Sequence, residues 1–103
     1  MDKEDAIRMS INYLKRLKSH DIFFSEAWMF GSFAKGIQHE ESDIDIAIVL
    51  DDSVSDSFDT EVQLMVLRRG DETRIEPHAF SKKEFSQNTP IVKQIQAQGF
   101  RIS

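Results

Sequence analysis

At 103 residues, with 40% hydrophobic and 30% charged residues, the chain has the composition of one ordinary globular domain spanning 1–103. Its net charge of −5 argues against nucleic acid as the main partner, because a dedicated nucleic-acid binder is basic; a small nucleotide stays open if divalent metals supply positive charge. No cysteine is present, which excludes a disulfide framework and a thiolate metal site and fits a cytoplasmic protein.

The charged start, Met1 to Asp5, is not a secretory leader. No apolar run approaches the roughly 18 residues needed to cross a membrane. Asp2 to Ser19 reads as an amphipathic helix, with Ile7, Ile11, Leu14 and Leu17 on one face, acids at its start and Lys15, Arg16 and Lys18 in its last turns. Ile22 to Phe30 reads as a strand ending at Gly31–Ser32, followed by a helical turn over Phe33 to Lys35 and a polar loop to Ser42. Ile44 to Leu50 is a second strand, apolar on both faces beyond its acids and so covered on both sides. After an acidic, serine-rich loop, Phe58 to Arg69 is predicted helical, with Val62, Met65, Val66 and Arg69 on one stripe and Gly70 just past its end. Thr73 to Phe80 is a third strand, and Pro77 inside it favours a sheet edge or a strand end. Ser81 to Glu84 matches a capping box, Thr89–Pro90 opens a last helix closed by Gly99, and Phe100 to Ile102 returns as a short strand. The order is that of an α+β (mixed α/β) domain without repeats or linkers.

Three features carry chemistry. Gly31–Ser32, between a strand and a helical turn, is either plain turn punctuation or a phosphate cradle in which a side-chain-free backbone and a hydroxyl approach an anion. Asp43 and Asp45 alternate along a strand and so share a face, with Cα atoms roughly 6.5–7 Å apart. They are either a solvated strand start or a pair converging on hard cations, and their place at the mouth of a buried strand favours the second. The third feature is the spacing: ten residues, Phe33 to Ser42, separate the Gly-Ser pair from Asp43.

Gly-Ser, a ten-residue gap and Asp-x-Asp on a strand, here Gly31–Ser32 and Asp43-x-Asp45 preceded by Ser42, resemble the minimal nucleotidyltransferases (MNT) of the DNA polymerase β superfamily. The helix, strand, loop and strand order extends the resemblance across most of the chain. It implies a small mixed sheet flanked by helices, and two Mg2+ ions held by Asp43, Asp45 and a third carboxylate on a later strand. It also implies a nucleoside triphosphate, ATP by analogy, whose phosphates are bound by Gly31 and Ser32. The third carboxylate expected is Glu76, as metal ligand and as base for the acceptor hydroxyl; Asp71 and Glu72, in the turn after Gly70, are the alternatives. Lys35 stands where relatives carry a basic loop residue, and is either a phosphate partner or a solvated lysine. His78 shares a face with Glu76 if strand pairing is regular, and is either an assisting group or structural. Phe33 departs from the arginine many relatives carry after Gly-Ser. Trp28 and the phenylalanines read as core.

Many bacterial and archaeal relatives are encoded beside a small helical HEPN protein, often a ribonuclease toxin. Some adenylylate a tyrosine of that partner and so act as antitoxins. The resemblance therefore implies a hydroxyl acceptor on a HEPN-type partner. An inactive module that neutralises its partner by contact is the alternative. Aminoglycoside-modifying relatives and nucleic-acid polymerases carry extra domains for which 103 residues leave no room.

Overall fold

A computed structural model describes the chain from Met1 to Ser103. Helix α1, Lys3–Ser19, starts where the Asp2 side chain accepts a hydrogen bond from the Asp5 backbone N–H at 2.8 Å, satisfying one of the donors a helix start leaves free. Strand β1 (Phe24–Phe30) leads through Gly31 into the four-residue helix α2 (Ser32–Lys35), and β2 (Ile44–Leu50) has the bounds its apolar run predicts. Helix α3 (Phe58–Val66), capped by Ser57, is followed by a 3₁₀ turn over Gly70–Arg74 and by β3 (Ile75–Ser81). The expected capping box of Ser81 and Glu84 opens α4 (Lys82–Ser86), Thr89 caps α5 (Pro90–Gln98), and β4 (Phe100–Arg101) ends the order.

The sheet runs β3-β2-β1-β4, with β1 antiparallel to both β2 and β4, and β3 parallel to β2. It is a mixed sheet flanked by helices, and Pro77 lies, as expected, on an edge strand. Side chains alternate across β2. Ile44, Ile46, Ile48 and Leu50 join a 16-residue core with Tyr13, Leu14, Leu17, Met29, Phe33, Leu64 and Ile75. Ala47 and Val49 face the other way, into a cluster of six with Phe30, Phe85, Val92 and Ile95. Both faces are therefore apolar and covered, but unequally.

Two expectations are corrected. The helix read over Phe58 to Arg69 ends at Val66, and its stripe does not pack inward: Val62, Met65 and Val66 are exposed at 38%, 45% and 66%, and Phe58 at 79%. Leu64 and Leu67 are buried instead. The cause lies on α1. Tyr13 Oη–H donates to the Leu64 carbonyl and Arg16 Nη1–H to that of Leu67 at 3.1 Å, two groups that a helix end leaves unpaired. These contacts turn that side of α3 toward the core. Second, the aromatics are not uniformly core: Phe24, Phe30, Phe33 and Phe85 are buried, whereas Phe23 and Phe58 face solvent.

Candidate active site

Strand directions bring distant pieces of sequence together. Antiparallel pairing of β1 and β2 sets Phe30 opposite Asp45, so the Gly31–Ser32 turn leaves β1 beside the start of β2. Parallel pairing of β2 and β3 sets Asp45 opposite Glu76 and Ala47 opposite His78. Asp45, Glu76 and His78 therefore share the face of the smaller core, at the end of the sheet where Gly31–Ser32 turns away. Their ligand atoms all lie within 4.8 Å of one another.

Each member is held differently. Asp45 is partly buried, its side chain 24% exposed, and its Oδ1 lies 3.1 Å from His78 Nε2, a hydrogen-bond distance when that nitrogen carries the proton. Its Oδ2 lies against Gly31, where an added Cβ would come within 2.3 Å. Gly31 also has φ +76 and ψ −154, a conformation that only glycine adopts without strain. Glycine is thus required at this position twice, by backbone conformation and by the carboxylate beside it. The His78 ring packs on Phe30, with centroids 5.0 Å apart and planes at 60°. Glu76 is exposed and makes neither an ion pair nor a side-chain hydrogen bond.

The other expected residues stand around this cluster. Asp43 precedes the first residue of β2, is exposed, and lies outside the group of converging ligand atoms. Ser32 opens α2 and Lys35 closes it, the latter exposed. Phe33, where relatives have arginine, is fully buried in the larger core, with the Arg74 guanidinium 5.9 Å above its ring. Arg74 Nη2–H also donates to the carbonyls of Glu40 and Ser42 at 3.0 Å each, tying the loop before Asp43 to the start of β3. Ser42 is buried, and its hydroxyl accepts from the His39 backbone N–H at 2.9 Å.

Of the alternatives for a third carboxylate, Glu72 is occupied elsewhere: it is buried, ion-paired with Arg16, and accepts from the Arg69 N–H at 2.9 Å. Asp71 is exposed in the same 3₁₀ turn. The residue that sequence reasoning left between two roles is His78; the shared face with Glu76 was readable, but its contact with Asp45 depends on the register between β2 and β3.

A converging pair of carboxylates and an imidazole, open to solvent on one side, is chemically suited to a divalent cation, and a side-chain-free glycine beside it leaves room for an anionic ligand. Comparison with known proteins agrees with this chemistry. The profile of the family described as polymerase beta, nucleotidyltransferase, matches residues 12–102. A crystal structure described as a toxin–antitoxin with AMP-PNP superposes with a TM-score of 0.60 at 22% identity, covering 94% of this chain and 72% of that one. A second, of the toxin–antitoxin MntA–HpeT carrying a double Asp-to-Glu mutation, gives 0.57 at 19% identity, covering 100% of this chain and 73% of that one. At such identities the likeness speaks for the fold. No curated protein matches the chain. With the family profile spanning nearly the whole sequence, and the fold and acidic site in place, the chain belongs to the polymerase β nucleotidyltransferase family.

Proposed function

We propose that this chain is a cytoplasmic, Mg2+-dependent adenylyltransferase that moves AMP from ATP onto a hydroxyl of a small helical HEPN-type protein, acting as that partner's antitoxin. The observation that carries the reading is the meeting of Asp45 and Glu76 at the sheet end from which Gly31–Ser32 turns away. Asp43, Asp45 and Glu76 would hold two Mg2+ ions. Asp43, exposed one residue before β2, has the rotamer freedom to turn toward them. Bound there, the ions would neutralise charge on the triphosphate and lower the pKa of the acceptor hydroxyl. Gly31 lets the phosphates approach the backbone, the Ser32 hydroxyl donates to them, and Lys35 adds a point charge. Glu76, exposed and unpaired, accepts the acceptor's proton. The acceptor oxygen bonds to the α-phosphorus as the bond to the β-phosphate oxygen breaks, and pyrophosphate leaves.

The exposed side of α3 supports a partner-binding reading. Phe58, Val62, Met65 and Val66 form an exposed apolar stripe at helical spacing. Residues 51–67 around it contain Asp51, Asp52, Asp56, Asp59 and Glu61 and no Lys, Arg or His. Burial, and then the nearby carboxylates of Glu61 and Glu84, push the Asp56 carboxyl above its usual range. A helical face with apolar residues flanked by cations complements this surface, and that is the face expected of the HEPN-type partner.

The test uses ATP labelled at its α-phosphate and the HEPN-type protein encoded beside this chain. Label moves to the partner with the wild type, and Asp45→Asn lowers the rate by at least about 10²–10³-fold. Transfer undiminished in Asp45→Asn overturns the reading. The exposed α3 stripe also favours a second reading, neutralisation by contact alone. In that case Asp45→Asn still neutralises the partner, whereas Val66→Arg does not. Val66→Arg is expected to keep stability within about 0.5 kcal/mol, being at the surface, and to abolish the complex on a sizing column.

A further inference from the structure

We propose that His78 is a direct ligand of the cation, and that the site therefore binds Mn2+, a divalent cation that accepts imidazole, more tightly than it binds Mg2+. This inference rests on the nucleotidyl-transfer reading of the same site and adds a cation preference to it.

The argument starts from β3. As the strand parallel to β2, it sends Glu76 and His78 to one face, two residues apart, Glu76 level with Asp45 and His78 level with Ala47. The imidazole is not a loose surface group. Its ring lies against Phe30, its side chain is 34% exposed, and its Nε2 stands 3.1 Å from Asp45 Oδ1. With Glu76, this gives three donors of two kinds, two carboxylates and one ring nitrogen, all within 4.8 Å.

Charge points the same way. No lysine or arginine pairs with Asp45 or Glu76, and the one basic group that reaches Asp45 is His78 itself. Two facing carboxylates without a cationic side chain repel each other, and an external cation would offset that repulsion. A neutral imidazole with its proton on Nδ1 turns the Nε2 lone pair into the same space. Mg2+ takes oxygen ligands and keeps its waters, and gains little from a ring nitrogen. Mn2+ takes the same carboxylate and water oxygens as Mg2+, but as a first-row transition ion it also binds an imidazole nitrogen.

The competing role for His78 is to orient Asp45 by hydrogen bond and never touch the metal. The two roles separate experimentally. Loss of an orienting group weakens every cation held by Asp45, typically by about 10–100-fold. Loss of a ligand nitrogen weakens Mn2+ and spares Mg2+.

The experiment is a titration of the full chain with Mn2+ alone, followed by electron paramagnetic resonance, with Mg2+ measured by competition. Pulsed measurements on protein labelled with ¹⁵N-histidine read whether a ring nitrogen is bound to the metal. The expected result is a nitrogen coupling in the wild type that is absent in His78→Gln, together with a Mn2+ affinity at least about tenfold lower and an unchanged Mg2+ affinity. Glu76→Gln, which leaves the imidazole in place, keeps the nitrogen coupling while weakening both cations. Mn2+ bound without nitrogen coupling, or both cations weakened alike in His78→Gln, overturns the inference and leaves nucleotidyl transfer standing. If neither cation binds, with or without ATP, the nucleotidyl-transfer reading falls with it.

Discussion

The two faces of the sheet are built from alternate residues of the same strands, yet they do different work. One face is closed: Ile44, Ile46, Ile48 and Leu50 of β2 are all 2% exposed or less, beneath α1, α2 and α3. The other is closed only at one end, where Phe85, Val92 and Ile95 from α4 and α5 cover Ala47 and Val49. Its remaining end carries Asp45, Glu76 and His78. Each fully buried Ile of the first face contributes roughly 1.5–3 kcal/mol of hydrophobic stabilisation. The second face gives up that contribution at Asp45 and gains a charged site. Stability and chemistry are thus separated by a strand's two-residue period.

Neighbouring positions 45 and 46 break this comparison most sharply. Ile46→Ala is expected to cost about 2–5 kcal/mol by leaving a cavity in the larger core, measured by denaturant unfolding, while transfer per folded molecule is retained. Asp45→Asn does the reverse, with activity lost and the unfolding midpoint nearly unchanged. If both substitutions damage both properties equally, the division between the faces is wrong. Gly31→Ala tests the one place where the two meet. It places a Cβ against the Asp45 carboxylate in a left-handed backbone, costs about 1–3 kcal/mol of strain, and displaces the carboxylate, so stability and transfer fall together.

The smallest effect belongs wholly to the closed face. Tyr13, the only tyrosine, is buried and hydrogen-bonded to the Leu64 carbonyl, and burial pushes its phenol well above the ordinary 10.0. The folded chain therefore holds the phenolic proton more tightly than the unfolded chain does. Its contribution is complete below pH 10.0 and falls as pH rises toward the folded value. Tyr13→Phe is expected to cost about 1 kcal/mol at neutral pH and to flatten stability against pH above 10.0. A slope that survives in the variant assigns the alkaline loss to other groups.

What could be read beforehand followed the range of the interactions. The bounds of β2, the caps at Ser81 and Thr89 and the turn at Gly31–Ser32 are local, set by periodicity and by side chains reaching three residues, and all are present. Asp45 and Glu76 were placed together by resemblance, and the sheet sets them opposite each other. The meeting of His78 with Asp45 depends on register across 33 residues of sequence, which no local pattern encodes. The same holds for α3. Helical spacing identified its apolar stripe but not which way it faces, because Tyr13 and Arg16, 51 residues away from the carbonyls they hold, decide the rotation. Glu72 looked like a turn residue until its partner Arg16 was known.

Pro77 has a consequence beyond marking the edge of the sheet. Backbone groups of an edge strand alternate between the ladder and the outside, and Pro77 sits between Glu76 and His78 in the middle of β3. A proline offers no N–H, so an incoming strand from another molecule finds no donor at the centre of this border. A proline within this edge strand thus disfavours pairing with a strand of another molecule along the edge nearest the site, and it does so without adding charge beside the acidic cluster.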